Sequence, residues 1–333
     1  YVDDPVAAIC GSEAHRRLLM TVIILLWEAL GFKLAYLKGQ CGRTVTWIGG
    51  TLVIDPRGVT ATVKQSIVTD IVDDLTAFLA TNLVSKKKLH SILGKLNHAA
   101  GLLITIRPFL DEIWAAWAAP SPANHLGCVW TKQFRPALLW FHKLFTGKGR
   151  RIERYFSIDS FNRVGTQVEI GTDASPWGMG GWLTVGGHYT HYFAVPVTPA
   201  DAILYGVEIG TAAGQQIWEC LAVLVAIDMW AAVWNQHRII LQIRSDNVTA
   251  LTALVRMRPK TEGVGIIVRE LAMRLVEMSF PPDAYHTPGI SHVIADRLSR
   301  VFAPDGDGVV ANALHPALAH ATLSTSPERT RQW

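Results

Sequence analysis

Four acidic residues, Asp173, Glu219, Asp246 and Asp296, occupy positions where an apolar residue or a plain cap would serve. Asp173 closes the run TQVEIGTD, Glu219 interrupts the apolar stretch IWECLAVLVAI, Asp246 closes RIILQIRSD, and Asp296 lies in VIADRLSR. A carboxylate on an apolar helix face loses solvation and must be paired, protonated or bound to a cation, and several together repel one another unless cations sit between them. Oxygen donors without His or Cys companions suit a hard ion such as Mg²⁺, which binds with the help of substrate phosphates. Two such ions about 4 Å apart stabilise the attacking and leaving oxygens of a phosphodiester. Taken singly, Asp173 and Asp246 read equally well as caps and Asp296 as an ion-pair partner of Arg297 or Arg300, whereas Ile217, Trp218, Leu221 and Ala222 count against reading Glu219 as a solvated position on an amphipathic helix. Their coincidence in one stretch favours a metal site.

Their placement depends on the surrounding elements. Thr166–Asp173, GMGGWLTV and HYTHYFAV read as three strands with glycine turns between the first two. A helix from about Gly214 to Trp234, a strand Arg238–Asp246 and two further helices follow, so 166–302 is predicted to be a mixed α/β domain. Upstream, Ser12 and Glu13 start a helix that Gly31 stops, and its run Leu18–Trp27 is too short to span a membrane and is expected to be buried. KLAYLKG and TVTWIGGTLVI are β-like, with DPRG as a turn. Residues 64–117 carry helical periodicity, 118–165 read as a connection with one aromatic helix over Phe134–Phe145, and 303–333, rich in Ala, Pro, Ser and Thr, is expected to be a disordered tail.

Half of the 333 residues are apolar, enough for a sizeable core, and 31 basic against 27 acidic residues permit a polyanionic partner without demanding one. The four cysteines are scattered with no C-x-x-C pair, which points away from a zinc module or disulfide framework and toward an intracellular compartment. The basic runs Lys86–Lys88 and Lys148–Arg151 read equally as solvated faces or as phosphate contacts.

GTDASPWGMGGW, WECLAV, RSDNVTAL and HTPGISHVIADRLSR resemble the four motifs of a type 1 ribonuclease H domain, in the form found at the C-terminus of retrotransposon reverse transcriptases; their acidic residues are spaced by 46, 27 and 50 positions. The IADRLSR ending resembles long-terminal-repeat and tyrosine-recombinase (DIRS-like) retroelements, while SDN stands where TDS is plainer. The resemblance implies a ribonuclease H-like mixed sheet with flanking helices, and Asp173, Glu219, Asp246 and Asp296 as ligands of two Mg²⁺ ions, with Mn²⁺ as a substitute. His286, ten residues before Asp296, takes the position of a mobile histidine that assists proton transfer and product release; His292, one helical turn before Asp296, is its rival. The segment 188–216 is longer than the family pattern and carries Asp201 and Glu208; Glu208 competes with Glu219, which the apolar ECLAVLVAI favours. The implied reaction is endonucleolytic hydrolysis of RNA in an RNA:DNA hybrid, recognised by shape. The rivals are a DNA-acting nuclease of the same superfamily and an inactive domain that binds nucleic acid or braces a polymerase.

YVDD, residues 1–4, resembles the catalytic turn of a reverse transcriptase palm, with Asp3 as the main ligand and Asp4 beside it. On that resemblance 1–63 is a partial palm, with Trp47, Ile48, Gly49 and Gly50 in a primer-grip hairpin, and 64–117 is a thumb binding primer-template nucleic acid. Fingers and the palm strand with a third aspartate would precede Tyr1, so the chain is expected to be a C-terminal portion that cuts hybrids without extending primers.

Overall fold

The computed structural model describes residues 5–120, 127–147, 152–234, 238–259, 261–277, 283–306, 308–310 and 314–325. YVDD, with Asp3 and Asp4, and the basic run Lys148–Arg151 lie outside the described residues. Helix α1 (Glu13–Ala29) begins where Ser12 Oγ accepts a hydrogen bond from the His15 N–H. The expected burial of its apolar run does not occur: no residue of α1 is buried, and Leu18 and Leu25 are each 61% exposed. Burial needs a facing surface as well as apolar side chains, and the described residues supply none to α1. KLAYLKG is not a strand either; it forms a single 3₁₀ turn over Tyr36–Lys38 that ends at Gly39.

Strands β1 (Thr44–Trp47) and β2 (Gly50–Asp55) form the hairpin, with Trp47 opposite Gly50. Ile48 at φ 45° and Gly49 at φ 70° make its two-residue left-handed turn, which matches strand twist but strains a β-branched residue. A further strand, β3 (Gly58–Val63), continues the sheet. Helices α2 (Gln65–Leu79), α3 (Lys86–Leu102) and α4 (Arg107–Ala118) follow, with a short strand β4 (Leu83–Ser85) that pairs with β5 (Cys128–Trp130). The 118–165 stretch is absorbed by its neighbours: α5 (Arg135–Thr146) packs on α2, and β6 (Glu153–Ser157) pairs with β3 before a one-turn α6 (Ile158–Phe161). Leu89, Ile92, Leu93 and Leu96 of α3 share one core with Ile71 and Leu75 of α2 and Phe141 of α5.

The C-terminal half is built on β7 (Thr166–Ala174), β8 (Gly178–Val185) and β9 (His188–Pro196), antiparallel in order, then α7 (Pro199–Tyr205) and α8 (Gln215–Trp234). Next come β10 (Ile239–Ser245), α9 (Val248–Arg256), α10 (Glu262–Glu277), β11 (Asp283–His286), α11 (Val293–Ser299) and β12 (Thr322–Leu323). The sheet order is β11-β10-β7-β8-β9-β12, parallel across β11-β10-β7 and β9-β12, antiparallel between. This is the mixed α/β architecture with flanking helices that the sequence predicts; α7, β11 and β12 are additions.

Alternation along the strands assigns the faces. Val168, Ile170, Met179 and Leu183 share a core with the apolar side chains of α8, while Trp182 and Tyr192 pack with Ala295 and Leu298 of α11 on the other side. Helix α8 is long and apolar enough to cross a membrane, yet it packs as a core helix against β7, β8 and α10, with Arg274 paired to its Asp228. On the α11 face a Cβ at Gly180 would lie 2.4 Å from Leu298 Cβ and 2.5 Å from the Ser299 nitrogen. Gly180→Ala is therefore expected to push α11 off the sheet and cost about 1–3 kcal/mol, read as a lowered urea midpoint.

The expected disordered tail is ordered in part. Over 314–325, Leu318 is fully buried, β12 extends the sheet along β9, and Trp230 Nε1 donates to Ser324 Oγ at 3.0 Å. One leucine and two strand residues suffice to dock a segment whose average composition is that of a loop.

Candidate functional site

Parallel neighbours in a sheet end side by side. Arg244 of β10 lies opposite Gly171 of β7, and the same register carried two residues further brings Asp246 opposite Asp173. Neither residue is needed as a cap. Asn247 Oδ1 caps α9, accepting from the Thr249 and Ala250 N–H groups, and Ser175 Oγ accepts from Trp177 and Gly178 in the turn after β7. Glu219, in the second turn of α8, reaches the same end of the sheet. One oxygen from each of Asp173, Glu219 and Asp246 lies within 4.8 Å of the other two.

Burial and mutual repulsion govern this cluster. Asp173 is 5% and Glu219 3% exposed. Burial first, then the Asp246 charge, pushes Asp173 up to about 6, against a hydrogen bond from Ser299. Burial and the Asp173 charge push Glu219 well above the usual carboxylate range. Gln215, one turn before Glu219, donates through Nε2 to the Ala174 carbonyl and to Glu219 Oε1 at 3.0 Å. Glu219 Oε2 is buried without a hydrogen-bond partner. Three convergent hard oxygens with one left unsatisfied fit a divalent cation, which would be held by Asp173, Glu219 and Asp246.

Asp296 stands aside from the three-oxygen group. It sits in the first turn of α11, where its Oδ1 accepts from Arg300 Nε at 2.7 Å, one turn on, although its charge still acts on Asp173. Ser299 links the two elements, since its hydroxyl lies 2.7 Å from Asp173 Oδ2 and 2.9 Å from the Asp296 carbonyl. The competitor Glu208 is exposed in the turn region after α7, and Asp201 is consumed in the α7 capping box with Thr198. Gln215 and Ser299 are the contributors not singled out in the sequence; each lies three or four residues from a named carboxylate on the same helix, the one signal that points to them.

The two histidines separate clearly. His286 ends β11 opposite Ser245, beside Asp246, and is exposed. His292 is 3% exposed, and its Nε2 lies 2.8 Å from the Thr172 carbonyl, which can only accept, so Nε2 carries the proton and ties α11 to β7. His292→Ala is therefore expected to lower stability by about 1–3 kcal/mol by stranding that carbonyl. His286→Ala is expected to leave the melting temperature unchanged. The turn after β11 closes the rim, with Gly289 so near that a Cβ there would sit 3.4 Å from Asp246 Oδ2.

No family model matches the chain, and no curated protein matches it. Among solved structures it is similar to the RNase H1 of the halophilic archaeon Halobacterium salinarum NRC-1, at 14% identity and TM-score 0.31, over 42% of this chain and 98% of that one. It is also similar to the foamy viral protease-reverse transcriptase in complex with RNA/DNA hybrid, at 14% identity and TM-score 0.34, over 84% of this chain and 34% of that one. The same foamy viral protein in complex with dsDNA gives 14% identity and TM-score 0.33, over 84% of this chain and 52% of that one. The chain thus spans between a third and about half of those viral chains.

Proposed function

We propose that the chain hydrolyses the RNA strand of an RNA:DNA hybrid, as a ribonuclease H-bearing region of a retroelement reverse transcriptase. The convergence of Asp173, Glu219 and Asp246 from three separate elements onto one spot, with Glu219 Oε2 unpartnered, carries this reading. Asp173, Glu219 and Asp246 would hold Mg²⁺, or Mn²⁺ in its place, which would supply positive charge against the attacking and leaving oxygens of a phosphodiester. Asp173 and Glu219 are held by Ser299 and Gln215 in the orientation that offers them to the cation. Asp296 completes the four-carboxylate set once it leaves Arg300. His286, exposed at the rim, moves a proton to or from its imidazole during turnover.

The same reading assigns the Trp47–Gly50 turn to primer contact and residues 64–117, helices α2 to α4, to a thumb. Cleavage of an end-labelled hybrid in Mg²⁺, with duplex DNA and duplex RNA as controls, tests it; products with 3′-hydroxyl and 5′-phosphate ends are expected from the hybrid alone. His286→Ala should slow that cleavage by about 10²-fold without abolishing it, since an assisting proton carrier contributes on that scale.

A further inference from the structure

One carboxylate at the mouth of the site is held by a cation of the protein's own. Asp296 lies outside the three-oxygen group of Asp173, Glu219 and Asp246, and its Oδ1 accepts instead from Arg300 Nε at 2.7 Å. The backbone that carries this pair is fixed. His292 Nε2 donates to the Thr172 carbonyl at 2.8 Å, Ser299 Oγ lies 2.7 Å from Asp173 Oδ2, and Ser175 Oγ donates to the Ser299 carbonyl at 2.7 Å. Past the helix, the Arg300 carbonyl accepts from the Ala303 N–H at 3.0 Å. Helix α11 is thus pinned at both ends, and a change of partner at Asp296 or Arg300 must come from the side chains alone.

Those side chains can make the change. The Asp296 side chain is 42% and that of Arg300 63% exposed. An exposed pair one helical turn apart favours the paired state only about twofold. A guanidinium that meets a phosphate forms a stronger, charge-assisted contact, and its planar fork matches two phosphate oxygens at once. Arg300 cannot shed its proton, so whenever Asp296 turns toward the other carboxylates its guanidinium is left charged and in need of an anion. It follows Ser299, whose hydroxyl touches Asp173, and so stands on the solvent side of the cluster, where a strand must pass for its phosphodiester to reach those carboxylates.

We propose that Arg300 is a substrate contact: its guanidinium leaves Asp296 for a phosphodiester oxygen of the bound strand, and the Asp296–Arg300 pair is the latch that holds it until then. This role of Arg300 rests on the proposed function. The latch can be opened without a metal, because Asp296→Asn removes the carboxylate that holds the guanidinium. Binding of a fluorescent RNA:DNA hybrid to the full chain, followed by anisotropy against salt in EDTA so that nothing is cut, reads the result. Loss of a negative charge would by itself tighten binding, so the measurement is run as a double-mutant cycle with Arg300→Gln. Both side chains are exposed, and the fold tolerates either change.

With Arg300 present, Asp296→Asn is expected to tighten hybrid binding about tenfold and to steepen the slope of log K against log salt by about 0.9, the mark of one added phosphate contact. In the Arg300→Gln background the gain should fall below about twofold, with no change of slope. Arg297→Gln, which takes the same charge from the same helix, should leave the full gain in place. A gain that is absent, or equal with and without Arg300, would overturn the contact while hybrid binding and cleavage kept the proposed function standing. A wild-type chain that neither binds nor cuts the hybrid would overturn the proposed function and the contact with it.

Discussion

Asp246→Asn is expected to reduce hybrid cleavage in Mg²⁺ by about 10³-fold or more, beyond the loss seen when one preorganised electrostatic group is removed elsewhere, while the melting temperature stays close to wild type. Asp246 is suited to this test because the fold does not use its charge. Asn247 caps α9, and among the described residues Asp246 accepts no hydrogen bond and makes no ion pair. The amide keeps shape and volume, so what disappears is one anionic oxygen from a group of three within 4.8 Å. Glu208→Gln, which neutralises the exposed competitor after α7, should change the rate less than twofold; that near-neutrality is the rule for surface positions away from a site. The Asn variant purified in parallel also measures the background from contaminating nucleases. Cleavage by Asp246→Asn within tenfold of wild type would remove the carboxylate cluster from the chemistry and favour the reading in which the domain only binds nucleic acid.

Some of this organisation could be read in the sequence because it is local. The alternation in TQVEIGTD and RIILQIRSD sets two strands that end in Asp, and a lone Glu in IWECLAVLVAI has few stable fates. What could not be read is relational. The apolar face of α1 looks buried until the surface opposite it is sought. Strand β6 pairs with β3 from about a hundred residues away, a partner that nothing local to its own sequence announces. Strand β11 has four residues and earns its place in the sheet from the parallel edge of β10. Asp296 sits at the helical position the spacing predicts, but Arg300 one turn later draws its carboxylate away, and spacing cannot rank two partners for one oxygen. The histidines show the same limit: position favours His286 but leaves His292 as a rival, and burial against the Thr172 carbonyl separates them.

Glu219→Gln is expected to stabilise the chain when divalent ions are absent and to abolish its stabilisation by Mg²⁺. The sign follows from Asp173 and Glu219, both shifted upward. Asp173 rises from 3.8 unfolded to about 6 folded, so between those values the folded state holds a proton that the unfolded state has lost. Stability from this group is therefore full below about pH 4 and falls as pH rises to about 6, by about 3 kcal/mol for a shift of some two units. Glu219 adds in the same direction. A cation bound to the ionised cluster works oppositely, contributing more as the protons leave, so saturating Mg²⁺ should turn a melting temperature that declines from pH 5 to 7 into one that is flat or rising. The glutamine variant keeps the Gln215 contact geometry but removes the charge that repels Asp173. Its melting temperature at pH 7 without metal should exceed wild type by a few degrees, at about 1.5 °C per kcal/mol for a chain of 333 residues, and should no longer respond to Mg²⁺. A melting temperature that drops on Glu219→Gln, or a Mg²⁺ response that survives it, would mean that the buried carboxylate is a structural element of the core and that the cation, if bound, is held elsewhere.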